Sequence, residues 1–178
     1  MAKLDDILQK AIADIGGAIG CAVIDADTRQ LICVATKVPS LTPNCLEALA
    51  VAVVELIRGK QVRAVETLLT SKRGKPAVNA IDEMYVNAGE SRHFIATFPE
   101  KPNCLIVLST DQNTSVGMGW VILHRTIIPL IAPGVFSKLP KHDAELQIGI
   151  SRCTALALKC RAAFNWRITF LTIIFVLK

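Results

Sequence analysis

The stretch Cys45-Leu-Glu-Ala-Leu-Ala-Val-Ala-Val-Val-Glu-Leu-Ile57 forms a helical pattern that is apolar on two sides. With roughly 100° of rotation per residue, one stripe contains Leu46, Leu49, Ala50, Val53 and Ile57. A second stripe beside it contains Ala48, Val51 and Ala52. Only Glu47 and Glu55 are charged. A small domain buries one such stripe, so the sequence predicts self-association through the other; coverage by the rest of the same chain is the alternative.

The start of this helix is marked more clearly than its end. Thr42 is suited to the N-cap position, and Pro43 to the first helical position, where an N–H would be unpaired anyway. Apolar residues continue the stripe beyond Gly59, so we expect one long helix that bends near Gly59 and reaches about Ser71.

The flanking sequence predicts an α+β domain with the element order α-β-β-α-β-β-β-α. A first amphipathic helix ends at Gly16-Gly17, and two short apolar segments follow around a turn at Asp25–Gln30. Three further strands begin near Glu83, His93 and Cys104, and a last helix covers about 114–131. Short hairpin connections favour an antiparallel sheet over a doubly wound one.

The net charge gives no support to nucleic-acid binding. The 178 residues carry a formal charge of +5, but residues 1–137 are neutral, and the excess lies after Phe136. The domain therefore has no basic stripe of the kind that follows phosphates.

The cysteines and the N-terminal sequence indicate a reducing compartment. Six single cysteines lie in apolar stretches without a C-x-x-C pattern, and we expect reduced core residues: Cys21, Cys33, Cys45, Cys104, Cys153 and Cys160. The first residues lack the basic-then-apolar order of a signal peptide, so we expect a cytoplasmic protein.

This pattern resembles the roadblock/dynein light chain family over about residues 3–132. The resemblance rests on the strand Gly20-Cys-Ala-Val-Ile-Asp25, the Ala-rich second helix, and Leu105-Ile-Val-Leu-Ser-Thr110 leading into Thr114-Ser-Val-Gly-Met-Gly-Trp120. It implies a profilin-like or longin-like layer, with a five-stranded antiparallel sheet and helices on both faces. The second helix would lie on one face and the terminal helices on the other.

The resemblance also implies a function. Such proteins are not enzymes; they form homodimers or heterodimers through the second helices and the third strands, and many bind or regulate Ras-like GTPases or dynein-type motors. The third strand here, Glu83–Asn87, is short and is expected to be a sheet edge. The candidate interface residues are Ala48, Val51, Ala52, Glu55, Glu83, Met84, Tyr85 and Val86.

Catalytic, metal and cofactor sites are not supported. Asp25 and Asp27 are better explained as turn residues, and His93 and His124 lack the convergent partners that a metal or a catalytic base needs. Gly117-Met-Gly119 lacks the remainder of a phosphate-binding loop. We therefore expect no enzyme activity and no cofactor.

The domain is expected to comprise residues 1–133, followed by a basic and apolar extension at 134–178. The run Ile168–Leu177 is uncharged but has half the length needed to span a bilayer. Three interpretations stay open: a strand or helix that covers apolar surface, a segment bound at a membrane surface, or an extension without an evolved role.

The leading hypothesis is thus a non-enzymatic dimerisation and scaffold module that serves a small GTPase or a motor or signalling complex. A small-molecule sensory module is the first alternative, and it would need a pocket with apolar and polar lining. A membrane-peripheral protein is the second alternative, and it depends on the extension alone.

Overall fold

A computed structural model describes residues 4–39 and 41–132. The helices are α1 (Leu4–Ala13), α2 (Pro43–Arg58), α3 (Lys60–Arg73) and α4 (Val116–Leu130). The strands are β1 (Ala18–Asp25), β2 (Gln30–Thr36), β3 (Glu83–Ala88), β4 (Ser91–Phe98) and β5 (Lys101–Asp111).

The five strands form one antiparallel sheet in the order β2-β1-β5-β4-β3. The two hairpins therefore meet through β1 and β5 at the centre, and β2 and β3 form the edges. The expected α+β class, the five-stranded antiparallel sheet and the edge position of β3 are all confirmed.

Helices cover both faces of the sheet, as the resemblance implies. On one face, α1 and α4 pack against a cluster that includes Phe94, Leu108 and Leu123. On the other face, α2 packs Val54 and Ile57 against the second cluster. The strands alternate between these two clusters because successive side chains point to opposite faces, except at a bulge in β2, where Ile32 and Cys33 both pack against the first cluster.

The second helix is interrupted at Gly59, so the expectation of one continuous helix to about Ser71 is wrong. Thr42 and Pro43 begin α2 as predicted, and the Cys45 amide donates to the Thr42 hydroxyl. Gly59 has an extended backbone, and a Cβ there would lie 2.2 Å from the Glu55 carbonyl oxygen. The missing side chain allows this close approach, and α3 starts in a new direction.

A second glycine lets α4 approach the sheet closely. A Cβ on Gly119 would lie 2.2 Å from Phe94 Cζ, whereas nothing lies within 4 Å of one on Gly117. The phenyl ring of Phe94 also contacts Trp120 edge-on, with ring centroids 5.4 Å apart. The small residue at 119 thus positions α4 over the centre of its core.

Candidate interaction surface and neighbouring cavity

The outward side of α2 is an apolar surface that the described residues leave partly open. Ala48, Val51 and Ala52 are each partly exposed, as expected for the second stripe. Leu49 was expected in the buried stripe, but it is 50% exposed. The first seven residues of α2 include no buried residue, and burial begins at Ala50. The helix therefore stands away from the sheet at its N-terminal end, and Leu49 adds to the outer surface.

Glu55 occupies the polar border of this surface. Its carboxylate forms an ion pair with Arg29 at 2.7 Å, and both side chains are about half exposed. Asp25 stabilises the turn that contains Arg29, because Asp25 Oδ1 accepts hydrogen bonds from the backbone amides of Asp27 and Thr28. An exposed pair contributes about 0.2–1 kcal/mol, so Glu55 orients the β1–β2 turn more than it stabilises the domain.

The four candidate residues of β3 divide between the two faces of the sheet. Met84 and Val86 pack against the α2 cluster, so their side chains continue the surface on the α2 side. Tyr85 lies on the α4 side, where its ring is 5.3 Å from that of Phe94. Glu83 also lies there and contacts His124 Nε2 at 2.7 Å.

Arg58, at the end of α2, contacts the loop that leads into β3, and the sequence did not identify it as a candidate residue. Arg58 as a whole residue is 6% exposed, and its Nη1 donates to the Ile81 carbonyl at 3.0 Å. Burial lowers the pKa of Arg58 from its ordinary value. The Ala80 amide donates to Glu66 Oε1 at 2.7 Å, which attaches the same loop to α3. The sequence signal nearest to Arg58 is the following residue, Gly59, where a bend of the helix was expected and not its end.

A cavity of about 100 Å³ lies where α2 stands away from the sheet. Its polar end is formed by His93 and Ser109, whose Nδ1 and Oγ are 2.9 Å apart. The other ring nitrogen, Nε2, lies 2.9 Å from Ser91 Oγ. Burial lowers the pKa of His93, so its neutral form is favoured. His93 is thus a partly buried, hydrogen-bonded residue.

The remaining polar candidates have structural partners. Asp27 accepts a hydrogen bond from Asn103, and His124 stacks on Trp120 beside Glu83. Within residues 4–39 and 41–132, no group of three or more His, Cys, Asp or Glu side chains has the arrangement of a metal site. None of the described helices has the length and apolar character required to cross a membrane.

The cysteine expectation holds for three of the four described residues. Cys21, Cys33 and Cys104 are buried, and burial raises the pKa of Cys21 and of Cys33 to about 12. Cys45 is exposed in the first turn of α2, so its assignment to the core is wrong. Its end of the helix is the one that stands away from the sheet. Cys153 and Cys160 lie outside the described residues.

The sequence matches no known protein family and no curated protein, but solved structures match the fold. Myxococcus xanthus MglB superposes with a TM-score of 0.54 at 15% identity, over 71% of this chain and 90% of MglB. A roadblock/LC7 domain from Streptomyces avermitilis gives 0.54 at 9% identity, over 72% and 95% of the two chains. This chain has the roadblock/LC7 fold.

A structure described as MglB with tetrameric arrangement gives a TM-score of 0.53 at 18% identity, over 70% of this chain and 82% of that one. The roadblock/LC7 fold thus accounts for the sheet, the helices on its two faces and the open edge at β3.

Proposed function

We propose that this protein is a non-enzymatic scaffold that forms a homodimer through α2 and β3. The observation that carries the proposal is the apolar outer side of α2, where Leu49, Val51 and Ala52 are left partly or half exposed. Covering such a surface removes apolar area from water at about 25 cal/mol per Å². A second copy offers the same surface and therefore a self-complementary contact around a two-fold axis.

The open edge at β3 supports the same arrangement. An edge strand presents unpaired N–H and C=O groups, and proteins protect such edges or use them for pairing. Met84 and Val86 lie on the α2 side of this strand, so edge pairing and helix packing would form one continuous interface. The interface residues of the proposal remain Ala48, Val51, Ala52, Glu55, Glu83, Met84, Tyr85 and Val86, with Leu49 added.

We further propose that the dimer presents a platform to a small Ras-like GTPase. The support is the roadblock/LC7 fold together with the likeness to MglB, one structure of which is described as tetrameric. The mechanism would be interfacial: the dimer supplies a rigid surface, and the partner supplies any nucleotide chemistry.

An Arg at position 52 tests the dimer. Ala52→Arg would place an unpaired charge in the helix interface, at a cost of several kcal/mol, so the dimer dissociation constant should rise by about 100-fold or more. Val121→Arg is the matched control, since Val121 is an exposed apolar residue of α4 on the opposite face of the sheet. Sedimentation velocity at micromolar concentration should show a monomer for Ala52→Arg and a dimer for both the wild type and Val121→Arg. A dimeric Ala52→Arg protein would overturn the α2 interface.

The GTPase proposal needs a separate experiment. A small GTPase encoded beside this protein is titrated with the wild type and with Ala52→Arg, once loaded with GDP and once with a non-hydrolysable GTP analogue. We expect binding by the wild-type dimer and loss of binding by the monomeric variant. Absence of binding in both nucleotide states would reject that partner and leave the dimer assignment intact.

A further inference from the structure

The cavity between α2 and the sheet has an almost wholly apolar wall. Its helix side is formed by Leu46, Leu49, Ala50 and Val53. Its sheet side is formed mainly by Gly20, Ala22, Ile24, Val34, Val107 and Ser109. Half-exposed Leu49 borders the space on its outer side, so in the single chain the space is within reach of solvent.

Two features of the packing create this space. The first seven residues of α2 include no buried residue, whereas the second half buries Val54 and Ile57 against large side chains of the sheet. Small residues stand on the sheet under the first half, with Gly20 and Ala22 on β1 and Ser109 on β5. A compact molecule could therefore enter without displacing the packed end of the helix.

The hydrogen bonds at the polar end define what the cavity can offer. Ser91 Oγ lies 3.4 Å from the Ala88 carbonyl oxygen, and we assign the hydroxyl proton to that contact, so that Ser91 Oγ accepts from His93 Nε2–H. His93 Nδ1 is then the acceptor, and the Ser109 hydroxyl donates to it. The Ser109 oxygen keeps lone pairs for one more donor. The polar end thus presents a hydrogen-bond acceptor beside an apolar space.

We propose that this cavity binds a compact, neutral molecule with an apolar body and one hydroxyl group, which donates a hydrogen bond to Ser109 Oγ. A dry apolar cavity of about 150 Å³ binds benzene, so about 100 Å³ with an open side suits a single ring or a short branched chain. A charged ligand is excluded, because burying an unpaired charge among these residues costs far more than the contacts return.

Phenol and toluene are suitable probes because they have nearly the same shape and differ in the hydroxyl group. Titration of the wild-type protein with either is followed in amide NMR spectra, and the shifts should concentrate at Ala22, Leu49 and Ser109. Ala22→Leu fills the cavity and should abolish the shifts, whereas the control Ala64→Leu, on the exposed side of α3, should retain them. Absence of saturable shifts in the wild type, or the same shifts in Ala22→Leu, would overturn the proposal.

The polar end is tested by the double variant His93→Leu/Ser109→Ala. Removing both hydrogen-bonding partners together avoids leaving one of them unpaired. The ratio of phenol to toluene affinity should fall about five-fold, the equivalent of one ordinary hydrogen bond. An unchanged ratio would overturn the role of Ser109.

If that variant does not fold, the pKa of His93 in the wild type tests the same contact. Bound phenol should lower the pKa of His93 further, because it excludes water and strengthens the donation from Ser109 to Nδ1. A His93 pKa that does not move at saturating phenol would contradict the proposed contact. Binding of phenol by monomeric Ala52→Arg but not by the wild-type dimer would show that a second copy fills the cavity, and would also overturn the proposal.

Discussion

The Thr97 amide donates a hydrogen bond to the Asp82 carbonyl oxygen at 2.8 Å, and this contact sets which amides of β3 face the open edge. Asp82 lies opposite Thr97 in the register that pairs Met84 with Ile95 and Val86 with His93. In an antiparallel pair, hydrogen-bonded and non-hydrogen-bonded positions alternate. Met84 and Val86 are therefore bonded to β4, and the N–H groups of Tyr85 and Asn87 point outward.

Amide exchange at these positions tests the proposed strand pairing directly. In a dimer that pairs β3 with its copy, the Tyr85 and Asn87 amides should exchange slowly, because the partner strand accepts them. The Val86 amide is the internal control, since its bond to β4 protects it in either case. Hydrogen exchange followed by NMR measures all three. Fast exchange at Tyr85 beside slow exchange at Val86 would show that the edge is free.

Two glycines of α4 should respond in opposite ways to alanine. Gly119→Ala should destabilise the domain by about 1–3 kcal/mol, because the new Cβ would overlap the Phe94 ring. Gly117→Ala meets no atom within 4 Å and should be neutral or stabilising by up to about 1 kcal/mol, because alanine favours a helix more than glycine does.

Urea unfolding of the wild type and the two variants measures this difference. The two substitutions add the same methyl group two residues apart on one helix, so the comparison isolates the packing against Phe94. Equal stabilities of the two variants would mean that α4 shifts freely over the sheet.

Stability should decrease as the pH falls below about 6.5, the pKa of an unperturbed histidine. Burial holds the pKa of folded His93 below that value, so the unfolded chain takes up a proton first. The contribution of His93 to the free energy of unfolding is complete above about pH 6.5 and is lost as the pH falls through the pKa of the folded state. It amounts to about 1.4 kcal/mol for each unit by which folding lowers the pKa of His93.

Melting temperatures of the wild type and His93→Leu between pH 7.5 and 5 measure this effect, and we expect the dependence on pH to be flatter in His93→Leu. Asp111 affects stability only at lower pH than His93 does. The ordinary pKa of its carboxyl group is 3.8, and hydrogen bonding from the Thr114 hydroxyl lowers it further. An equal slope in His93→Leu would assign the pH response to other groups.

The alternation of apolar residues was sufficient to predict the strands and their order along the chain, and the shortness of β3 together with the family resemblance indicated its edge position. It was insufficient for Leu49, because a helical wheel gives the direction of a side chain but not the distance between helix and sheet. It also failed at Gly59, where the stripe continues through Val62 and Leu69 although the backbone is extended. Such a break depends on one close approach, between Gly59 and the Glu55 carbonyl, that periodicity does not encode.

The candidate interface shows the same division between pattern and geometry. The sequence identified the apolar second stripe of α2 and the short strand from Glu83. It did not show that Tyr85 lies on the α4 side while Met84 lies on the α2 side, or which amides face outward. Those facts depend on the register with β4, which the Asp82–Thr97 contact fixes. Arg58 was missed because a lone arginine in an apolar helix carries no periodic signal.

Residues 134–178 lie outside the described part of the chain, and we predict from the sequence that the domain does not need them. Truncation after Ser137 should leave the melting temperature nearly unchanged and improve solubility, because the uncharged run Ile168–Leu177 is the strongest aggregation candidate of the sequence. Truncation after Arg125 is the destabilising control, since it also removes buried Ile127 and Leu130. Thermal unfolding and light scattering compare the three proteins. A loss of several degrees on truncation after Ser137 would show that the extension packs on the domain, with Trp166 and Phe170 as the expected anchors because large aromatic side chains contribute most apolar area.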